Sequence, residues 1–412
     1  MQTKPNPIAS LLIPDFRNFV SARMFMTLAI QIQAVAVGWQ VYEMTHDPLS
    51  LGLIGLAEAI PAITVSLYAG HLADITERKK ILLACAITLL ICAVALYAFT
   101  SSLTKLLIDF GVVPVYVVIF ITGIARGFLS PANFSLMPQL VPRNLYTNAI
   151  TWNSTIWEGA ALAGPAFGGV LIDFFGLKIT FLVDALLVLT GFLFYASISR
   201  KPLPEISGEQ GVIEKIKAGL TFVFNHQIIL AAISLDLFAV LFGGAVALLP
   251  IFADEILKAG PNGFGLLRAA PALGALIMAV YLAYFPIKKN IGKTLLWCVA
   301  GFGLSMILFG LSTSFWLSMG LLVVSGVFDC VSVIIRGMLI HTLAPENMKG
   351  RVAAVNSIFI GSSNEIGAFE SGVVAKIIGI VPSVVFGGVM TILTVGLTGW
   401  RAKKLRATQS VS

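Results

Sequence analysis

The sequence predicts an all-α membrane protein with twelve transmembrane helices in two parallel six-helix repeats, and three observations carry that expectation. Hydrophobic residues make up 58% of the chain and charged ones only 11%, where soluble domains carry about a quarter charged. Stretches such as 81–99 and 381–397 are apolar on every face, which suits lipid better than a half-solvated surface. A segment from the first half of the chain also returns in the second half.

Each span needs roughly 20 apolar residues, and in lipid only helices and closed barrels satisfy their own backbone hydrogen bonds. Barrel strands would alternate polar and apolar residues; these runs do not. Breaks at Pro, Gly and charge clusters place spans at 18–44, 49–72, 80–100, 113–137, 147–172 and 178–198. After a polar linker, 200–225, come 226–252, 262–286, 293–312, 315–341, 352–377 and 380–400. The expected organisation is a bundle over 1–199, a cytoplasmic linker over 200–225 and a second bundle over 226–412. The first span is too long for a signal-peptide core, so no cleaved signal is expected. Cys85, Cys92, Cys298 and Cys330 fall inside apolar spans without CxxC spacing, which reads as small buried residues, with neither disulfide nor metal.

Orientation follows from the basic residues. With the amino terminus cytoplasmic, the inner segments hold Lys4, Arg17, Arg78, Lys79, Lys80, Arg143, Arg200, Lys201, Lys215, Lys217, Lys288, Lys289, Lys293, Lys349, Arg351, Arg401, Lys403, Lys404 and Arg406. The opposite side keeps Lys105, Lys178, Lys258 and Lys376. The positive-inside rule then puts both termini in the cytoplasm. The net charge of +7 is accounted for by anionic headgroups, and no soluble basic domain exists to bind nucleic acid.

The repeat sets Leu140-Val-Pro-Arg-Asn-Leu-Tyr-Thr-Asn-Ala-Ile-Thr-Trp-Asn-Ser154 beside Leu343-Ala-Pro-Glu-Asn-Met-Lys-Gly-Arg-Val-Ala-Ala-Val-Asn-Ser357, with Leu, Pro, Asn, Asn and Ser coinciding. Gly55-Leu-Ala-Glu-Ala-Ile-Pro61 echoes Gly265-Leu-Leu-Arg-Ala-Ala-Pro271. An even number of helices per half makes the copies parallel, an arrangement found in transporters that bind substrate near the midplane and rock one half against the other.

Charged residues inside spans cost about 2.5 to 3.5 kcal/mol near a helix centre, so each needs a partner or water. The deep ones are Glu58, Arg126, Glu158, Asp236, Arg268, Asp329 and Glu365, with Arg23 and Arg336 nearer the cytoplasmic ends. Helical spacing gathers polar residues into stripes: Thr122, Arg126, Ser130 and Asn133; Asn148, Thr151, Thr155 and Glu158; Ser325, Asp329, Ser332 and Arg336; and Arg23, Thr27 and Gln31. The repeat sets Arg126 against Asp329 and Glu58 against Arg268. A charge-balanced cavity is expected, with Arg126 paired by an acid for which Glu158 is the nearest candidate. Fixed interhelical ion pairs without a ligand are the competing reading. Any of the five acids is a candidate proton carrier.

Gly70-His-Leu-Ala-Asp-Ile-Thr-Glu-Arg-Lys-Lys80 resembles the G-x-x-x-D-R-x-G-R-R/K signature of the major facilitator superfamily, with Gly70, Asp74, Arg78 and Lys79 matching and Ile75 and Glu77 departing. In that superfamily this loop latches the cytoplasmic side, and the missing Arg implies an altered latch. Gly164-Pro-Ala-Phe-Gly-Gly169 is similar to the GPxxGG element of the exporter branch, in which Pro165 bends the helix and Gly164, Gly168 and Gly169 permit close packing. With Asn18-Phe-Val-Ser-Ala-Arg23, the chain is most similar to the enterobactin-exporter-related group of siderophore and drug exporters.

The resemblance implies a secondary active transporter in a bacterial cytoplasmic membrane. The expected activity is proton-coupled export, by antiport, of a small amphiphilic or siderophore-like molecule. A lipid or lysophospholipid transporter, or an importer, is the alternative on the same fold. Trp39, Trp152 and Trp157 are candidates for stacking on an aromatic ligand. Enzymatic chemistry is not expected: no nucleophile stands with its base, no HExxH or phosphate loop occurs, and His46, His71, His226 and His341 are scattered. The expected partners are a small-molecule substrate, protons and lipid, with no cofactor and a monomeric state.

Overall fold

The computed structural model describes residues 7–101, 105–201, 212–287, 289–345 and 348–409. Lys4, Lys288 and, in the second copy of the repeat, Glu346 and Asn347 lie outside them, as do the side chains of His71, Asp74 and Lys215. The described chain is helical almost throughout. The membrane helices are α1 (Pro14–Thr45), α2 (Pro48–Ile75), α3 (Arg78–Thr100) and α4 (Val113–Leu136). The run Tyr146–Ala196 follows and is two helices, α5 (146–175) and α6 (177–196), divided by Gly176 at φ 73° and ψ 171°. The second half holds α7 (Gln227–Gly243, prolonged by short turns to Ile256), α8 (Gly260–Tyr284), α9 (Ile291–Leu311), α10 (Phe315–Leu343), α11 (Lys349–Ile378) and α12 (Ile380–Arg401).

Ten runs among the described residues are long and apolar enough to cross a membrane, one of them being the merged α5 and α6. The remaining helix, α11, has span length and carries Asn356, Asn364, Glu365 and Glu370, so its polar face suits a protein interior. The all-α fold of twelve membrane helices, six to each half of the sequence, is therefore the one that the hydropathy pattern requires.

The halves repeat in structure as well as in sequence. Gly176 has a counterpart at Gly379, φ 93° and ψ 164°, at the offset that separates Leu140 from Leu343. Both take a backbone region essentially closed to residues with a Cβ. At the same offset, Gly164 on α5 lies against Gln31 of α1, where a Cβ would approach Gln31 Cβ to 2.5 Å, and Gly367 on α11 lies against α7, where a Cβ would sit 2.7 Å from the Leu241 carbonyl oxygen. Small residues let backbones approach where lipid offers no hydrophobic drive for helix association.

The chain divides into two compact units. The first comprises Met1–Gln40 with Ile60–Gly208 and the second Val41–Ala59 with Glu209–Ser412. The first has a core of Phe16, Phe19, Leu82, Leu89, Leu136 and Tyr195. In the second, Leu235, Leu295, Ile335 and Leu339 form one cluster. A further cluster packs Val223 of the linker helix Val212–Asn225 on Ile340 and Val352.

Candidate functional site: a buried charge cluster on α7 and α10

Of the seven deep charges, Glu58, Asp236, Arg268, Asp329 and Glu365 belong to the second unit, and Arg126 and Glu158 to the first. Glu58, Arg126, Arg268 and Glu365 each make polar or electrostatic contacts and are half-buried, whereas Glu158 is exposed on α5. The Glu365 carboxylate lies over Gly55, its Oε2 3.3 Å from where a Cβ would stand.

The most defined cluster stands on α7 and α10. On α10, Ser325, Asp329, Ser332 and Arg336 share one face, and Ser325, Ser332 and Arg336 are buried. Arg336 forms an ion pair with Asp236 of α7, the two side chains being 2% and 8% exposed. Asp329 and Asp236 both line a recess with a free volume of about 10 Å³, together with Ser332, Val299, Phe302 and Phe328. Ser332 Oγ, without a hydrogen-bond partner, leaves polar capacity at its wall. One water needs roughly 10–15 Å³ of such space. This recess therefore suits water and protons better than a bulky solute.

In the first unit the polar stripes are tied up differently. Arg23 donates from Nη1 to Asn153 Oδ1 at 2.6 Å, and the Tyr195 hydroxyl donates to Asn133 Oδ1 at 2.8 Å. Asn148 accepts from Ser10 and donates to the Pro7 carbonyl at 2.7 Å. Trp152 also gives its indole N–H to Pro7, at 2.8 Å, so it anchors the N-terminal segment. Trp39 is buried and Trp157 exposed.

The signature residues sit on helix ends. Gly70 and Asp74 lie on the last turns of α2 and Arg78 and Lys79 on the first turn of α3, leaving only Thr76 and Glu77 between helices. Lys79 donates to the carbonyls of Ala196, at 2.8 Å, and Ile198, placing a cation on the negative end of α6. The GPxxGG residues Gly164, Pro165, Gly168 and Gly169 are all buried, with Gly168 directed at Ile32 and Val35 of α1.

Two features escaped sequence reasoning. Arg336 reads as an end-of-helix cation, yet it is the partner of Asp236; the signal available was its place on the Asp329 stripe. Asp184 on α6 is 1% exposed with Oδ2 unpartnered, and a lone acid in the run 178–198 was visible to inspection.

Comparison with known proteins agrees with this architecture. The family model described as transmembrane secretion effector matches residues 6–412. The staphyloferrin A transporter of Staphylococcus aureus is 24% identical over 300 residues, covering 71% of this chain and 72% of that protein. The enterobactin exporter of Escherichia coli is 26% identical over 345 residues, covering 82% and 80%. Among solved structures, a D-xylose–proton symporter superposes with a TM-score of 0.72 at 14% identity, covering 96% of this chain and 98% of that one.

Proposed function

We propose, since the chain belongs to the transmembrane secretion effector family of the major facilitator superfamily, that it exports a small amphiphilic or siderophore-like molecule across a bacterial cytoplasmic membrane by proton-coupled alternating access. The observation that carries the coupling is the cluster in which one buried guanidinium, Arg336, stands among two carboxylates, Asp236 and Asp329. One cation balances one anion. Asp236 takes that role by contact, which leaves Asp329 as the group to bind a proton at the wall of the recess. A proton moving down the membrane potential releases about 2.3 kcal/mol per 100 mV, enough to drive a solute against a gradient of roughly fiftyfold.

Export of a siderophore-like solute is favoured by the relatives, whose names specify staphyloferrin A and enterobactin. The distribution of basic residues favours cytoplasmic termini. The Arg126 and Glu158 stripes of the first unit are the candidate lining for the solute.

The test is reconstitution in proteoliposomes with an imposed pH gradient, using radiolabelled enterobactin and staphyloferrin A as probes. Wild type is expected to accumulate one of them in response to the gradient. Asp329→Asn should lose gradient-driven accumulation while keeping exchange of labelled for unlabelled solute. Full gradient-driven transport by Asp329→Asn would remove Asp329 from the coupling role.

A further inference from the structure

The two halves place charge at matched positions and balance it differently. On α1, Phe16, Val20, Ala22 and Met26 are buried, and on α7 Ile229, Ile233, Leu235 and Ala239 are buried at one constant offset, which sets Arg23 at the place of Asp236. On α4, Thr122, Ala132 and Leu136 match the buried Ser325, Ile335 and Leu339 of α10 in the same way, which sets Asn133 at the place of Arg336. In the second half the pair Asp236–Arg336 cancels its own charge. In the first half the sign on the opening helix is reversed and the counterpart is neutral: Asn133 is occupied in accepting the Tyr195 hydroxyl at 2.8 Å.

Arg23 therefore keeps a full charge inside the first unit. Its Nη1 donates to Asn153 Oδ1 at 2.6 Å, and among the described residues no carboxylate pairs with it, the titratable group beside it being the Tyr195 phenol. A stranded carboxyl can take up a proton, but a guanidinium stays charged. With Nη1 committed to a neutral amide, the rest of the fork matches a planar pair of anionic oxygens. The place is open to a solute. Arg23, Thr27 and Gln31 form a half-buried stripe on α1, and Asn153 borders Thr151, Ser154 and Thr155, which are exposed on α5. Arg23 stands roughly 14 Å along α1 from its first residue, Pro14, on the end that the basic residues favour as cytoplasmic, where an exported solute is first met.

We infer that Arg23 binds the anionic group of the transported solute, and that the substrate class is one carrying a carboxylate or a like planar pair of anionic oxygens. Charged side chains inside spans mark substrate paths. A solute anion completes in the first half the neutralisation that Asp236 and Arg336 achieve between themselves in the second. This rests on the chain's being a solute exporter and is independent of Asp329.

Binding is read at equilibrium, without a gradient, so that loss of proton coupling and loss of anion recognition are told apart. Protein in nanodiscs of zwitterionic lipid is titrated by ligand-observed NMR with benzoate, a planar carboxylate on an apolar ring, and with benzamide, its uncharged isostere. Wild type is expected to prefer benzoate. Arg23→Gln should weaken benzoate by roughly ten- to a hundredfold, the scale of one hydrogen bond to a charged group, and leave benzamide unchanged, with Arg23→Lys in between. Asn153→Asp keeps Arg23 and gives it an internal carboxylate, reproducing the self-cancelled arrangement of the second half. It should weaken benzoate to a similar degree without lowering the melting temperature, and it decides the matter if Arg23→Gln folds poorly. An Arg23 that serves packing alone would leave benzoate binding by Asn153→Asp at the wild-type level. That result, undiminished benzoate binding by folded Arg23→Gln, or a wild type that does not favour benzoate over benzamide would overturn the assignment.

Discussion

Replacing Arg336 with Met takes away the cation that contacts Asp236. Asp236 must then sit buried and charged or take up a proton. Protonating a carboxyl of ordinary value about 3.9 at pH 7 costs ~4 kcal/mol, in line with the 3–5 kcal/mol typical of breaking one side of a buried pair. Asp236→Asn is the milder change, because Asp329 lines the same recess and can serve as anion to Arg336. Its expected cost is about 2 kcal/mol, the scale of one hydrogen bond to a charged group. The assay is reversible denaturation in mixed micelles at pH 7.5. Equal losses in both variants would refute the assignment of one shared cation to two acids.

Gly164→Leu should destabilise by roughly 1–3 kcal/mol through overpacking, since even a Cβ there comes within 2.5 Å of Gln31 Cβ, while Gly159→Ala, with open space around it, should melt like wild type. Lys79→Met removes the donor to the carbonyls of Ala196 and Ile198 and should cost about 1 kcal/mol, measured as a lower melting temperature that Lys79→Arg largely restores. Partial burial works to raise the Asp47 carboxyl, but hydrogen bonds from Lys376 and Ser50 outweigh it and hold the group below its usual 3.8. A lowered carboxyl stabilises its contact above the usual value and loses that contribution as pH falls through the lowered one. The melting-temperature difference between wild type and Asp47→Asn should therefore stay flat from pH 8 to 5 and shrink only below about pH 4.

Much of the architecture was legible because membrane folding exposes its rules in one dimension. Span length, the all-round apolarity of runs such as 81–99 and the loop recurrence at Leu140 and Leu343 follow from lipid as solvent, and the helices occupy those places. The α10 stripe was legible because helical spacing is regular. Pairing was not. Asp236 and Arg336 lie on helices separated by two others in the chain, so their contact depends on which helices pack together, which periodicity does not encode. The superfamily signature was readable as letters and not as geometry: Lys79 turns toward the end of α6, a contact between residues more than a hundred positions apart. The attachment of residues 41–59 to the second unit was invisible for another reason, since a boundary inside an unbroken apolar helix leaves no break in composition.

The matched corners at Gly176 and Gly379 supply something rarely available in one polypeptide, an experiment carried out twice by inheritance. A hairpin that reverses on a single achiral residue has no slack, so each corner fixes how its two helices leave one another. Placing alanine at either corner, then at both, asks whether one half tolerates the distortion better than its twin. Any difference between them would measure how far the duplicated modules have specialised.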